Sequence, residues 1–188
     1  MDTIPYIPSA AWYACWLKAR SLNMSDQEAI VFANRSVGSD GKDFARCRIA
    51  GNVSPTLLSV AVEGGAARLR AKGAARTARL SSHGNWPHVH LGALEAAYGR
   101  SPYYQHIMPP IRQALSHTPI LLSDLNKRIH DVVSEFLDIP PSGIEIPSER
   151  CLEIADSINA DLSVADALMR LGPEASLGLL SIAAPTLI

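Results

Sequence analysis

The sequence predicts a single α/β domain spanning residues 1–188, with a mostly parallel sheet covered by helices in a Rossmann-like layered architecture. Two stretches predict this class. The apolar run Ala29–Ala33 in "EAIVFAN" is ambiguous between helix and strand, but its β-branched and aromatic residues favour a buried strand. Near the C-terminus, the strand-like "IEI", the helix-like "ERCLEIADSINA" and the strand-like "DLSVA" follow one another through short connections, which is typical of a βαβ unit.

The N-terminal half begins with a loop and a helix. The apolar stretch "TIPYIP" is broken by prolines and is expected to be a strand end or a loop. Ser9 is a suitable N-cap for "SAAWYACWLKARSL", in which four residues share one face: Trp12, Cys15, Trp16 and Ala19. After the loop "SVGSDGK", the stretches "RCRIAGN" and "TLLSVAV" are predicted as two strands joined by a turn at residues 51–55.

Residues 63–84 are predicted as a loop excursion that carries a short strand at Thr77–Leu80. The stretch is rich in Ala, Arg and Gly, and five of its residues are basic: Arg68, Arg70, Lys72, Arg76 and Arg79. These side chains fit either a solvated surface or a lid over a substrate. The sequence alone leaves both interpretations open.

Three helices are predicted in the following part of the chain. Asn85 is a suitable N-cap for "WPHVHLGALEAAYGR", in which Pro87 is tolerated in the first turn. A second helix crosses residues 104–116 and is interrupted at Pro109-Pro110. Thr118-Pro119 opens a third helix, which has an apolar stripe made of Leu122, Leu125, Ile129, Val132 and Phe136.

Composition excludes several classes of protein. Seventeen basic residues against eighteen acidic residues argue against a dedicated binder of nucleic acid or of a membrane surface. The chain has no apolar run long enough for membrane insertion, and "MDTIPYIPS" lacks the basic start of a secretion signal. Three scattered cysteines without a CxxC pair suit a reducing cytoplasm and predict no metal site. No cofactor is expected, and a homodimer is compatible with the sequence.

The positive charges are concentrated in the middle of the chain. Between Arg35 and His90 there are nine Lys or Arg residues and three acidic residues, whereas the balance reverses after this stretch. One interpretation is an ordinary mixed surface. The other is a face that binds a small anion, for which the forked guanidinium groups of Arg46 and Arg48 are suited. Alternate residues of a strand share a face, so these two arginines are predicted to point the same way, with Asn52 at the adjoining turn.

His90 is the first candidate for catalysis. On the predicted helix it lies one turn after Trp86 and two turns before Tyr98, where it is placed either to act as a base or to be a hydrogen-bonded core residue. His88 lies about 200° away around the helix, so the pair does not predict a metal site. Cys15 and Cys47 are either nucleophiles or small buried hydrophobes. The sequence contains no GxGxxG, GxSxG or HExxH motif.

The start of the last predicted helix, "PSERC", is a second candidate anion site. Ser148 and Arg150 lie where free backbone amides and the helix dipole attract anions. Ordinary helix capping explains Ser148 equally well, but capping does not require Arg150.

Four stretches form a pattern over nearly the whole chain. They are "YIPSAAWY", with Tyr6, Pro8, Trp12 and Tyr13; "FARCRIAGN" followed by "LLSVAV"; "WPHVHLGALEAAYGRSPYY", with Trp86, His90, Tyr98, Pro102 and Tyr103; and "SERCLEIADSINADLSV". Together they resemble the WbqC-like family of bacterial proteins. The chain departs from the family pattern at Ala45, where asparagine is common, at Ala61, where proline is usual, and in "FANRSVGSD".

The resemblance implies a role in surface-polysaccharide or specialised-metabolite biosynthesis. With the residues above, it leads us to expect a cytoplasmic group-transfer enzyme that acts on a small anionic substrate (an amino acid, an acyl donor or a sugar derivative). The alternative is a non-catalytic binding or scaffold protein of the same pathway. The expected catalytic residues are His90, Tyr6 and Tyr98. The expected substrate-binding residues are Arg46, Arg48, Asn52, Trp12, Trp86, Tyr103, Ser148 and Arg150.

Overall fold

The computed structural model describes residues 3–39, 41–71, 73–116, 119–139 and 149–182. The described chain is mostly α-helical. Its helices are α1 (Ala10–Ser21), α2 (Asp26–Ser36), α3 (Trp86–Tyr98), α4 (Tyr104–Ser116), α5 (Leu122–Ser134), α6 (Glu149–Ser157), α7 (Val164–Leu171) and α8 (Ala175–Ser181). Its strands are β1 (Arg46–Ile49) and β2 (Thr56–Ser59), which pair antiparallel with Arg46 opposite Ser59 and Ile49 opposite Thr56.

The predicted parallel sheet is wrong, and α2 gives the first reason. The run Ala29–Ala33 lies inside this helix, whose first turn is closed by reciprocal hydrogen bonds between Ser25 and Glu28. Such a capping box satisfies two backbone donors at a helix start and favours helix over strand. The buried residues of the run are Ala29, Ile30 and Ala33, which is helical spacing.

The predicted βαβ unit is also wrong. Its central helix exists as α6, but "DLSVA" is a turn that leads into α7, and its one strand-like contact is an isolated bridge between Ser163 and Ser9. Residues 164–169 of α7 are all buried. A buried helix presents a continuous apolar run, and a short run of that kind does not distinguish a helix from a buried strand. The predicted strand "IEI" lies outside the described residues.

Most of the other predicted elements are confirmed. The two strands and their turn form the β1–β2 hairpin, and α1, α3, α4 and α5 occupy the predicted stretches. The predicted interruption at Pro109-Pro110 is wrong, because α4 continues through both residues. Residues 63–84 contain two short 3₁₀ turns, Ala66–Arg70 and Ala74–Arg76, and isolated bridges at Arg79 and Leu80. Among the described residues, no helix combines the length and the apolar character needed to cross a bilayer.

The N-terminal segment, residues 3–9, is held between β1 and the start of α7. The backbone amide of Tyr6 donates to the carbonyl oxygen of Asp43 at 3.1 Å. The amide of Val164 donates to the carbonyl of Pro8 at 2.9 Å, and the amide of Ser163 donates to the carbonyl of Arg48 at 2.7 Å. Three distant parts of the sequence therefore meet at the β1 edge of the hairpin. This meeting point forms the candidate site.

Candidate functional site

A cleft of about 670 Å³ opens where the N-terminal segment, residues 36–39, residues 42–43 and β1 meet the start of α7. We call it the Arg46 cleft. The residues that line it are Pro5, Ile7, Pro8, Ser9, Ala11, Trp12, Ser36, Val37, Ser39, Lys42, Asp43, Arg46, Cys47, Arg48, Leu57, Asp161 and Ser163. Its volume suits a small molecule.

Arg46 and Arg48 both belong to this lining. Side chains alternate between the two faces of β1. Cys47 and Ile49 are buried on one face, whereas on the other face Arg46 is half-buried and Arg48 is exposed. The Nε atom of Arg46 is shielded from solvent and has no hydrogen-bond partner within the described residues. A buried guanidinium nitrogen normally has an acceptor, because leaving it unpaired costs free energy. Arg46, a residue of the cleft lining, therefore carries an unmatched donor.

The backbone at Ile7 is strained. Its φ angle is +39°, a left-handed conformation that β-branched residues rarely adopt. The side chain is fully buried, and the residue lines the cleft between Pro5 and Pro8. Such strain costs about 1–3 kcal/mol and is found most often at functional sites, where the surrounding structure holds it in place. The hydrogen bonds of Tyr6 and Pro8 to neighbouring segments hold it here.

Trp12 forms part of the wall and is fixed by a chain of hydrogen bonds. Its indole Nε1 donates to Asn34 Oδ1 at 2.9 Å, and the Asn34 amide nitrogen donates to the carbonyl oxygen of Thr3 at 3.0 Å. The indole is 1% exposed as a residue and packs edge-on against Tyr13. The wall is therefore rigid and mostly apolar on this side.

His90 lies below the cleft, in the core. The Tyr6 hydroxyl is 2.8 Å from its Nδ1, and its Nε2 is 3.2 Å from the carbonyl oxygen of Ser59 at the end of β2. A carbonyl oxygen can only accept, so Nε2 carries the proton and Nδ1 accepts from the Tyr6 hydroxyl. Burial lowers the pKa of His90 from 6.5 to about 4, which keeps the ring neutral. Trp86 contacts the ring edge-on, with ring centroids 5.2 Å apart.

Tyr98 is also buried and belongs to a different network. Its hydroxyl accepts from the backbone amide of Ala50 at 2.9 Å, just after β1 ends. Burial is the largest of the effects that raise its pKa, and a hydrogen bond to Asp166 contributes. Asp166 in turn accepts two hydrogen bonds from Arg170, at 2.8 and 3.0 Å. Tyr98 thus joins the hairpin to α7. In the described chain, the lining of the cleft does not include Tyr6, His90 or Tyr98.

The remaining predicted residues lie away from the cleft or outside the described chain. Asn52 is exposed on the hairpin turn, and the ring of Tyr103 packs against Gly172 after α7. Arg150 is exposed and paired with Glu174 at 2.8 Å. Ser148 lies outside the described residues. Among the described residues, the structure therefore brings together Trp12, Arg46 and Arg48, and the other described candidates do not line this cleft.

Sequence reasoning missed a second tyrosine–histidine pair in the core. The hydroxyl of Tyr13 is 2.8 Å from His130 Nδ1, and His130 Nε2 is 3.4 Å from Asp26 Oδ1. Trp16 Nε1 also donates to this oxygen, at 2.9 Å. The hydrogen bond from His130 is the largest effect that lowers the pKa of Asp26. Tyr13 and His130 are almost completely buried, so the network ties α1, α2 and α5 together.

Ser163 lines the cleft and is not among the predicted site residues. It precedes α7 and was placed inside a predicted strand, although the spacing of Ser163 and Asp166 is that of a helix N-cap. That spacing is the feature that identifies the helix start.

Within the described chain, no group of three or more His, Cys, Asp or Glu residues is placed to hold a metal ion. Burial raises the pKa of both the Cys15 and Cys47 thiols, which disfavours the reactive thiolate.

A family model described as "WbqC-like protein family" matches residues 23–159. The match includes Arg46, Arg48, His90 and Tyr98, and it begins after the segment that carries Tyr6 and Trp12. Searches of curated proteins and of solved structures found no match. Because the family model covers most of the sequence, the resemblance seen in the sequence is confirmed, and the chain belongs to the WbqC-like protein family.

Proposed function

We propose that the protein binds a small anionic molecule, with a carboxylate or a phosphate group, in the Arg46 cleft. Membership of the WbqC-like family suggests a protein of a biosynthetic pathway. The observation that carries the proposal is the Arg46 Nε, a shielded donor without a partner in the described residues, in the lining of a cleft. A guanidinium group binds planar anions through two parallel hydrogen bonds.

Three further features support this proposal. Arg48 adds a second positive charge on the same face of β1, and no described acidic residue forms a salt bridge with either arginine. The fixed indole of Trp12 offers an apolar wall for the body of the ligand. The strained backbone at Ile7 lies in the same cleft. Strain of this kind is common where a protein holds a binding surface in advance.

The reaction we propose is group transfer in the cytoplasm, with an acyl, aminoacyl or sugar-linked anionic substrate held in the cleft. In this proposal Tyr6 and His90 act as positioning residues. The side chain of Tyr6 is anchored to His90 below the cleft, while its neighbours Pro5 and Ile7 line the cleft. The pair therefore fixes the segment that forms this wall.

A second candidate is a non-catalytic binding protein of the same pathway. It is favoured by the hydrogen bonds of His90, because both ring nitrogens are engaged within the protein and neither faces the cleft lining. A general base needs a nitrogen within reach of the substrate proton. Both candidates require the same anion site, so binding is the property to test first.

Calorimetric titration tests the anion site. The probes are amino acids, acetyl phosphate, short acyl-CoA thioesters and sugar phosphates, each with the wild type and with Arg46→Lys, Arg46→Ala and Arg48→Ala. We expect Arg46→Lys to weaken binding about tenfold or more, since it keeps the charge but loses the fork, and a charged hydrogen bond contributes about 1.5–3 kcal/mol. Arg48→Ala should weaken binding less, because Arg48 is exposed.

Arg100→Ala is the matched control, because Arg100 is an exposed arginine outside the cleft. It removes one positive charge and should leave the affinity within about twofold of the wild type. If Arg46→Ala and Arg100→Ala bind every probe as tightly as the wild type, the proposed site is wrong. Mass analysis of a cell extract incubated with the protein then distinguishes the two candidate functions, because a new product forms only if the protein is an enzyme.

A further inference from the structure

A second unmatched polar atom belongs to Ser163, which also lines the Arg46 cleft. Ser163 is 1% exposed, and its hydroxyl has no hydrogen-bond partner within the described residues. The backbone of Ser163 is fixed on both sides. Its amide donates to the backbone carbonyl oxygen of Arg48, at 2.7 Å, and its carbonyl oxygen accepts from the backbone amide of Asp166, at 3.0 Å. The hydroxyl is thus held beside the strand that carries both arginines.

Helix capping does not explain this hydroxyl. Ser163 is the N-cap residue of α7, but its side chain makes no capping hydrogen bond. By contrast, the N-cap residues Ser9 and Ser25 each accept a backbone amide of their own helix. The Asp166 carboxylate, which a capping box would direct back toward Ser163, is instead held by Arg170. A buried hydroxyl without a partner destabilises the folded protein unless something else binds it.

We infer that the ligand of the cleft carries two polar groups, an anion bound by Arg46 and a neutral hydroxyl, carbonyl or amide group bound by the Ser163 hydroxyl. This inference rests on the proposed anion site and narrows its ligand to a bifunctional compound, such as a hydroxy acid or a hydroxylated phosphate. A serine hydroxyl both donates and accepts, so it suits a neutral polar group. The anionic group of the ligand binds the Arg46 guanidinium, which can only donate hydrogen bonds.

Two pairs of probes test this inference. Propionate is compared with lactate, and propyl phosphate with glycerol 3-phosphate, so that the members of each pair share the anion and differ in hydroxylation. Affinities are measured by ligand-observed NMR with the wild-type protein. We expect the hydroxylated member of at least one pair to bind about tenfold more tightly, because the apolar member leaves the Ser163 hydroxyl unpaired.

The variant Ser163→Ala should remove this preference and leave the affinity for the apolar member within about twofold of the wild type. Ser25→Ala is the control, because Ser25 is also an N-cap serine but lies outside the cleft. It should lower the melting temperature and keep the preference, whereas Ser163→Ala should not lower the melting temperature. That difference separates a binding hydroxyl from a structural one.

The outcomes distinguish this inference from the proposed function. If both members of each pair bind equally to the wild type, the anion site stands and the second group is wrong. The same conclusion follows if Ser163→Ala keeps the preference. If no probe binds at concentrations up to tens of millimolar, the anion site and the inference fail together.

Discussion

At the scale of single residues, the two tyrosine–histidine pairs show how the N-terminal part of the chain is anchored. Tyr6 binds His90 of α3 and Tyr13 binds His130 of α5, each at 2.8 Å and each in the core. His90 accepts from the Tyr6 hydroxyl at Nδ1, because its Nε2 donates to the carbonyl oxygen of Ser59. These pairs fix the segment whose neighbouring residues line the cleft.

The buried state of His90 predicts a pH dependence of stability. Its pKa is about 4 in the folded protein and 6.5 ordinarily, so the unfolded chain binds the proton more readily between these values. The free energy of unfolding should therefore fall as the pH is lowered from about 6.5 to about 4. This residue accounts for a loss on the order of 3 kcal/mol over that window. Urea unfolding at several pH values measures it.

The variant His90→Gln should be less stable at pH 7 and should lose this contribution to the pH dependence. His88→Gln is the control, since His88 is exposed on the same helix. A slope between pH 6.5 and 4 that is the same in His90→Gln as in the wild type would contradict the buried neutral state. A variant with wild-type stability and turnover reduced about a hundredfold would instead support a direct catalytic role.

At the scale of elements, the loop before β1 is positioned by a close backbone contact. A Cβ atom added at Gly41 would lie 1.8 Å from the carbonyl oxygen of Leu69, which belongs to the 3₁₀ turn Ala66–Arg70. Gly41 precedes Lys42 and Asp43, both of which line the cleft. The contact therefore joins this 3₁₀ turn to one wall of the cleft.

This contact predicts that Gly41→Ala is destabilising. The added methyl group cannot fit without a shift of backbone on one side, which we expect to cost about 2 kcal/mol or more and to weaken anion binding. Thermal unfolding and titration measure the two effects. Gly92→Ala is the control, because nothing lies within 4 Å of its added Cβ and the exposed helix position should gain about 0.5–1 kcal/mol. Equal stability of the two variants would contradict the close contact.

Elements were predictable from the sequence where their pattern is local. The alternation of Arg46, Cys47 and Arg48 placed both arginines on one face, and the cap at Ser9 placed the start of α1. The errors at α2 and α7 have one physical cause. A short apolar run fits a buried strand as well as a helix, and only the residues at the N-cap and three positions later mark each helix start.

At the scale of the whole molecule, the site depends on contacts between distant segments. The segments that carry Ile7, Arg46 and Ser163 are joined by backbone hydrogen bonds of neighbouring residues, which no local pattern predicts. The sequence therefore identified the arginines and Trp12 as candidates, but it did not distinguish residues that line the cleft from residues of the core. His90, Tyr6 and Tyr98 follow the family pattern, and all three are buried. The most distinctive motif of the sequence thus lies in the core and outside the lining of the cleft in the described chain.

The most direct test of the anion site is a crystal structure of the wild-type protein with the probe that binds most tightly in the titrations. We expect the anionic group to lie in the Arg46 cleft, with an oxygen atom about 2.7–3.0 Å from Arg46 Nε. The proposal would be contradicted by a saturated protein in which the cleft is empty, or in which the bound anion contacts neither Arg46 nor Arg48.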